Sequence, residues 1–190
     1  MLEKLPHAVG EALSGLKAGL EKTAYHAFFP EAPESLAVTS PAFAEGEALP
    51  ARFTQDGAKV SPPLAWSGVP SEARSVVILA EDADSPTPKP LVHLIVWNLA
   101  GHDAALAEGA LASPAGPGAH HNLGRNSFLK DQYLPPDPPT GHGPHRYVFQ
   151  VYALDGTLAL AASPGRGALL DAMKGRVLAK GQITGTYART

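Results

Sequence analysis

Strand-like apolar patterns fill the middle of this chain, and a helical period appears only near its two ends. Leu5, Val9, Leu13, Leu16 and Leu20 recur every three or four residues, which predicts a helix over residues 4–24 with one apolar face. Pro6 fits only its first turn. Gly10, Gly15 and Gly19 each cost roughly 1 kcal/mol relative to Ala, so this helix depends on packing, against its own domain or against a second copy in a homodimer. Its polar face carries as much acid as base, which disfavours a membrane-surface role. Pro30 to Pro50 reads as a linker passing into short strands. The organisation expected is an N-terminal helix and linker over residues 1–34 and one domain over residues 35–190.

Three strands stand out beyond the linker. Ser75–Ala80 is continuously apolar. Val92–Leu99 follows, with His93, Ile95 and Trp97 on one face and Leu94, Val96 and Asn98 on the other. In Arg146–Leu154, the run His145, Tyr147, Phe149 and Val151 alternates with Arg146, Val148, Gln150 and Tyr152. Gly167–Lys180 carries Leu169, Leu170, Met173, Val177 and Leu178 on one side and reads as a second helix, and Gln182–Tyr187 as a last strand. The stretches Ser85–Pro90, Gly101–Gly118 and Asn122–Pro144 read as long loops, which inside a compact domain are more often functional than decorative. Strands joined by long loops with few helices indicate an antiparallel β or α+β domain.

Composition narrows the function more than the fold. With 190 residues the chain has the length of one domain, and its 19 Gly and 19 Pro argue against a helix bundle or coiled coil. The net charge of −3 is wrong for a general nucleic-acid binder. There is no cysteine, which removes disulfides, thiol catalysis and iron–sulfur ligation. The longest apolar runs fall far short of the roughly 20 residues of a membrane span. The N-terminal residues lack the basic and apolar regions of a signal peptide, so a cytoplasmic location is expected.

Three polar groupings flank the apolar strands. Asp82 and Asp84 follow the first strand, two residues apart, so both carboxylates could enter one cleft. His93 opens the second strand. Pro138-Pro139-Thr140-Gly141-His142-Gly143-Pro144-His145-Arg146-Tyr147 is a rigid turn running into the third. Together these segments would place two carboxylates beside two or three imidazoles. A carboxylate orients an imidazole, fixes its tautomer and favours its protonated form, which then donates to an anion. Glycine-loop amides add further donors. Such a cluster suits a small phosphorylated, even zwitterionic, molecule. Taken singly, each group has a plainer reading: Asp82 and Asp84 as turn aspartates, His93 as a core histidine, His142 and His145 as loop surface. His120 and His121 read as exposed loop without a role. The His142–His145 spacing lies in a Pro/Gly loop, where it carries little metal information.

Taken together, the motifs resemble the phosphatidylethanolamine-binding protein family, which includes the Raf kinase inhibitor protein. Asp82-Ala83-Asp84-Ser85-Pro86, then His93 and Asn98, then Gly143-Pro144-His145-Arg146-Tyr147-Val148-Phe149 carry the resemblance. Phe53-Thr54, Asp56-Gly57, Ser61-Pro62-Pro63-Leu64 and Trp66 look like an upstream motif of the bacterial branch, and Gly185-Thr186-Tyr187 fits the close. The match runs from about Leu36 to Tyr187. It implies a mainly β fold with a large antiparallel sheet, a smaller sheet and a few peripheral helices. It implies an anion pocket formed by Asp82, Asp84, His93, Pro139, His145 and Tyr147, with no catalytic residues, no metal and no cofactor. The chain departs from the family pattern at Ala83, at Leu91 where an aromatic is common, and at Asp137, a carboxylate beside the pocket's Pro138-Pro139. It ends at Thr190 without the C-terminal helix of the animal proteins.

The function expected is therefore non-enzymatic binding of a small phosphate-bearing ligand or phosphorylated group. The alternatives are a protein inhibitor of a kinase or protease and, behind it, an Asp/His-dependent hydrolase. Against the hydrolase stands the lack of a nucleophile motif, since Ser85 precedes Pro86 as an ordinary turn serine.

Overall fold

The computed structural model describes residues 7–111 and 122–189. Two antiparallel sheets build the molecule. The larger has five strands: β3 (Ser75–Asp82) at its centre, β4 (Leu91–Ala100) and β7 (His145–Leu154) on either side, and β6 (Asn122–Leu123) and β8 (Val177–Tyr187) at the edges. The smaller has β2 (Leu64–Ser67) between β1 (Ala37–Thr39) and β5 (Ala104–Leu106). Short helices α1 (His7–Leu13), α2 (Ala24–Ala27) and α3 (Arg166–Met173) are peripheral.

Every residue of β3 is buried, which explains its lack of alternation: the large sheet is covered on both faces. On one face Val76, Ile78 and Ala80 join Tyr147, Phe149 and the small sheet's Leu64 and Trp66. On the other, Val77 and Leu79 meet Tyr152, Phe29 and α3's Leu169, Leu170 and Met173.

Both helices predicted from the sequence are shorter than expected. In place of one helix over residues 4–24, α1 ends at Leu13 and the chain runs through a single 3₁₀ turn at Leu20–Lys22 to α2, while residues 4–6 of the prediction lie outside the described residues. Gly19, with φ of +106°, takes a conformation that other residues rarely adopt, and no helix continues through it. The chain is instead pinned to the large sheet's end, where the Ala18 and Gly19 amides donate to Ser85 O and Ala83 O at 2.9 and 2.8 Å. The second helix stops at Met173 rather than Lys180. Gly175 has φ of +72°, and Val177 onward pairs with β7 in a ten-rung ladder that outweighs the helical period. Lys174-Gly175 is the stop signal in the sequence. The predicted loops 101–118 and 122–144 contribute β5 and β6, and residues 112–121, with His120 and His121, lie outside the described residues.

One strand face also differs. Ala80 pairs with Leu94 but Glu81 with Val92, so His93 is the extra residue of a β-bulge. Ile95 stays with Val92 in the α3-side core, while His93 packs edge-on against Tyr147 at 5.1 Å, on the opposite face from Ile95.

Residues 24–29 are anchored through buried charges. Glu81 accepts from the Ala24 amide at 2.7 Å, from Gln150 Nε2 at 2.9 Å and from Arg166 Nε at 2.6 Å. Lys180 Nζ donates to Tyr25 O and Phe29 O at 3.0 and 2.8 Å. Glu81→Ala strands three donors around a fully buried position. It is expected to cost on the order of 3 kcal/mol in chemical denaturation, against near-neutral effects for exposed acids such as Glu72.

Candidate functional site

The site lies where β3, β4 and β7 share one end. Asp82 closes β3, His145 opens β7, and the bulge at His93 turns that ring toward both of them. All three line a cleft of about 640 Å³. Its outer walls come from the segments before β2 and after β6, including Lys59, Lys130, Phe128 and Asp137.

His145 has both ring nitrogens engaged: Nδ1 lies 2.8 Å from Asp82 Oδ2 and Nε2 lies 2.7 Å from His142 Nδ1. His142 Nε2 lies 3.2 Å from Leu16 O. A carbonyl can only accept, so His142 carries a proton on Nε2, and as a neutral ring it offers a lone pair at Nδ1. His145 must then donate from Nε2, and one further proton is shared between its Nδ1 and Asp82. Burial, and the neighbouring His145, push the His142 imidazole below its usual value, which agrees with a neutral ring.

His93 differs. Its Nδ1 donates to Leu134 O at 2.7 Å, while Nε2 is buried with no partner among the described residues. Burial pushes its pKa below the usual value, opposed in part by Asp82. The Tyr147 hydroxyl, behind the His93 and His145 rings, is also buried and unpartnered.

Asp84 does not reach the cleft. It forms a two-pronged pair with Arg146, Oδ2 to Nε at 2.7 Å and Oδ1 to Nη2 at 2.8 Å, and accepts from the Arg146 amide at 2.9 Å. Lys17 Nζ is 3.3 Å away. The shared direction expected of Asp82 and Asp84 is broken by a turn: Asp82 Oδ1 accepts from the Asp84 amide at 2.9 Å, and Asp84 turns toward β7. Pro139 and Tyr147 are buried and are not on the cleft lining. Asp137 does line it, paired with Arg189, which also grips Asp56 at 2.7 Å. That cation offsets the extra carboxylate. Sequence reasoning passed over Lys59, Lys130 and Arg189, because none belongs to the Asp and His groupings that pointed to the site. Among the described residues, no group of three or more His, Asp and Glu side chains is arranged to hold a metal ion.

Residues 39–188 match the family model described as phosphatidylethanolamine-binding protein. A UPF0098 protein of Pyrococcus abyssi is 36% identical over 160 residues, covering 82% of this chain and 87% of that protein. Among solved structures, a phosphatidylethanolamine-binding protein homolog of Chlamydia trachomatis is 35% identical with a TM-score of 0.74, covering 83% of this chain and 99% of its own. Escherichia coli YbcL is 30% identical with a TM-score of 0.73, covering 82% and 99%. Carboxypeptidase Y inhibitor, solved in complex with its cognate proteinase, shares the fold at 18% identity and a TM-score of 0.50, covering 83% of this chain and 85% of its own.

Burial raises the Asp84 pKa, but the Arg146 guanidinium and amide, with Lys17, outweigh it and hold the carboxyl at about 2. A carboxyl depressed on folding contributes stability above its unfolded value near 3.9 and loses it as pH falls toward the folded value. Asp84→Asn is expected to lose on the order of 2 kcal/mol at neutral pH. The difference from wild type should close between about pH 4 and 2 in denaturation series.

Proposed function

The chain belongs to the phosphatidylethanolamine-binding protein family, and we propose that it binds a small phosphate-bearing ligand or phosphorylated group in the cleft between Asp82, His93 and His145, without transforming it. The observation that carries this reading is His93 Nε2, a buried polar atom of a cleft-lining residue that finds no partner among the described residues. Such an atom costs roughly 1–3 kcal/mol when left bare, a cost that a bound oxygen removes.

Nε2 takes part in one of two forms. A protonated His93 donates to a phosphate oxygen, or a neutral His93 accepts from the P–OH of a monoanion. Either form places one proton between ring and ligand. Lys59 and Lys130 add positive charge at the walls, and Arg189 offsets Asp137. Binding rather than catalysis is supported by Ser85, the serine on the lining, whose hydroxyl is spent on Asp82 O at 3.3 Å and Thr87 Oγ1 at 2.7 Å. Among the described residues no helix is long and apolar enough to cross a membrane.

The sign of the pH dependence follows from the shared proton. His93 titrates below its usual value when free, and an anion draws that value up, so binding takes up a proton and weakens as pH rises. Calorimetric titration with inorganic phosphate and a phosphomonoester is expected to show weaker binding at pH 8 than at pH 6. His93→Leu should lose about tenfold or more in affinity. Equal affinity in wild type and His93→Leu at both pH values would sink the reading.

A further inference from the structure

The N-terminal segment is laid against the back of the cleft wall. Its Leu16 carbonyl holds His142, Lys17 reaches Asp84, and the Ala18 and Gly19 amides are bonded to the turn after β3. Gly10 of α1 is buried against the 140–142 turn so tightly that a β-carbon there would sit 1.9 Å from Thr140 O and 3.1 Å from the His142 amide. Residues 7–19 supply no residue to the cleft lining, so the segment does not cap the opening.

It reaches the site by another route. Leu16 O, His142, His145 and Asp82 form one hydrogen-bonded row from the segment to the cleft. With the carbonyl in place, His142 Nδ1 is a fixed acceptor and consumes the Nε2–H of His145. Without it, His142 is free to take the other tautomer, in which Nδ1 no longer accepts, and the His145 Nε2–H loses its fixed partner. We propose that residues 7–19 form a releasable strap and that His142 is the positioning residue through which the docked strap withholds the His145 donor from an anion. This rests on the anion-binding reading above, and its first measurement requires no ligand.

The fit at Gly10 supplies a full-length test. Ala is a better helix former than Gly, so Gly10→Ala strengthens α1 itself and can only act through the contact with Thr140. A β-carbon at Gly15 would meet nothing within 4 Å, so Gly15→Ala is the control in the same segment. Amide exchange at Ala18 and Gly19 reports strap release, and imidazole nitrogen shifts report the tautomers of His142 and His145. Gly10→Ala and the bulkier Gly10→Phe are expected to lose amide protection and the Nε2–H signature of His142, while Gly15→Ala keeps both. Phosphate affinity should rise on the order of tenfold in Gly10→Phe and in His142→Ala, with no further gain in the double variant.

Retained protection in Gly10→Phe means there is no releasable strap and overturns the proposal. Lost protection with unchanged ring shifts, or equal gains from Gly10→Phe with and without His142, overturns the coupling. Shifted rings with no phosphate binding in any variant uphold the coupling and remove the anion reading instead.

Discussion

The position of β3 constrains the rest of the molecule. Both of its edges are hydrogen-bonded and both of its faces are buried, so its register can change only if both neighbours change with it. That register sets Asp82 opposite Tyr147 and Glu81 opposite Val148. Asp82 is thereby delivered to His145 at the cleft. Glu81, one residue earlier and on the other face, is delivered to Arg166, Gln150 and the Ala24 amide. Two adjacent carboxylates serve opposite sides of one sheet, one at the site and one in the packing of the α2–α3 layer.

The bulge at His93 is the second consequence. A regular strand would carry His93 beside Ile95, in the apolar layer against α3. The extra residue opposite Ala80 and Glu81 turns it to the Tyr147 face while the strand on either side stays paired. Bulges often re-aim one side chain at a functional end of a sheet in this way. Among the described residues, His93 Nε2 and Tyr147 Oη at this end of the sheet are buried polar atoms without partners. Asp84 shows the contrast: it is equally buried, yet it is fully used by Arg146 and Lys17, and it steadies the turn between Asp82 and His145 without entering the cleft.

By itself the sequence determined the strands that fill the core, because the apolar runs in β3, β4 and β7 have no other stable environment than a covered sheet. It determined the order of the motifs, and with it the resemblance to a family the chain proves to belong to. It also placed Asp82, His93 and His145 at strand ends, and the tertiary structure joins them in one cleft. What it could not determine were matters decided by partners distant in the chain. The helix over 167–180 gives way at Gly175 because β7 offers a ladder to Val177 onward, and local periodicity does not register a strand more than twenty residues earlier. The face of His93 depends on a pairing count between β3 and β4. Asp137 pairs with Arg189, more than fifty residues away, and His142 with a carbonyl at Leu16, at the other end of the chain. Local sequence sets which elements can form. The hydrogen-bond partners of a buried charge or imidazole, and hence what it can do, are set only once the tertiary structure brings distant segments together.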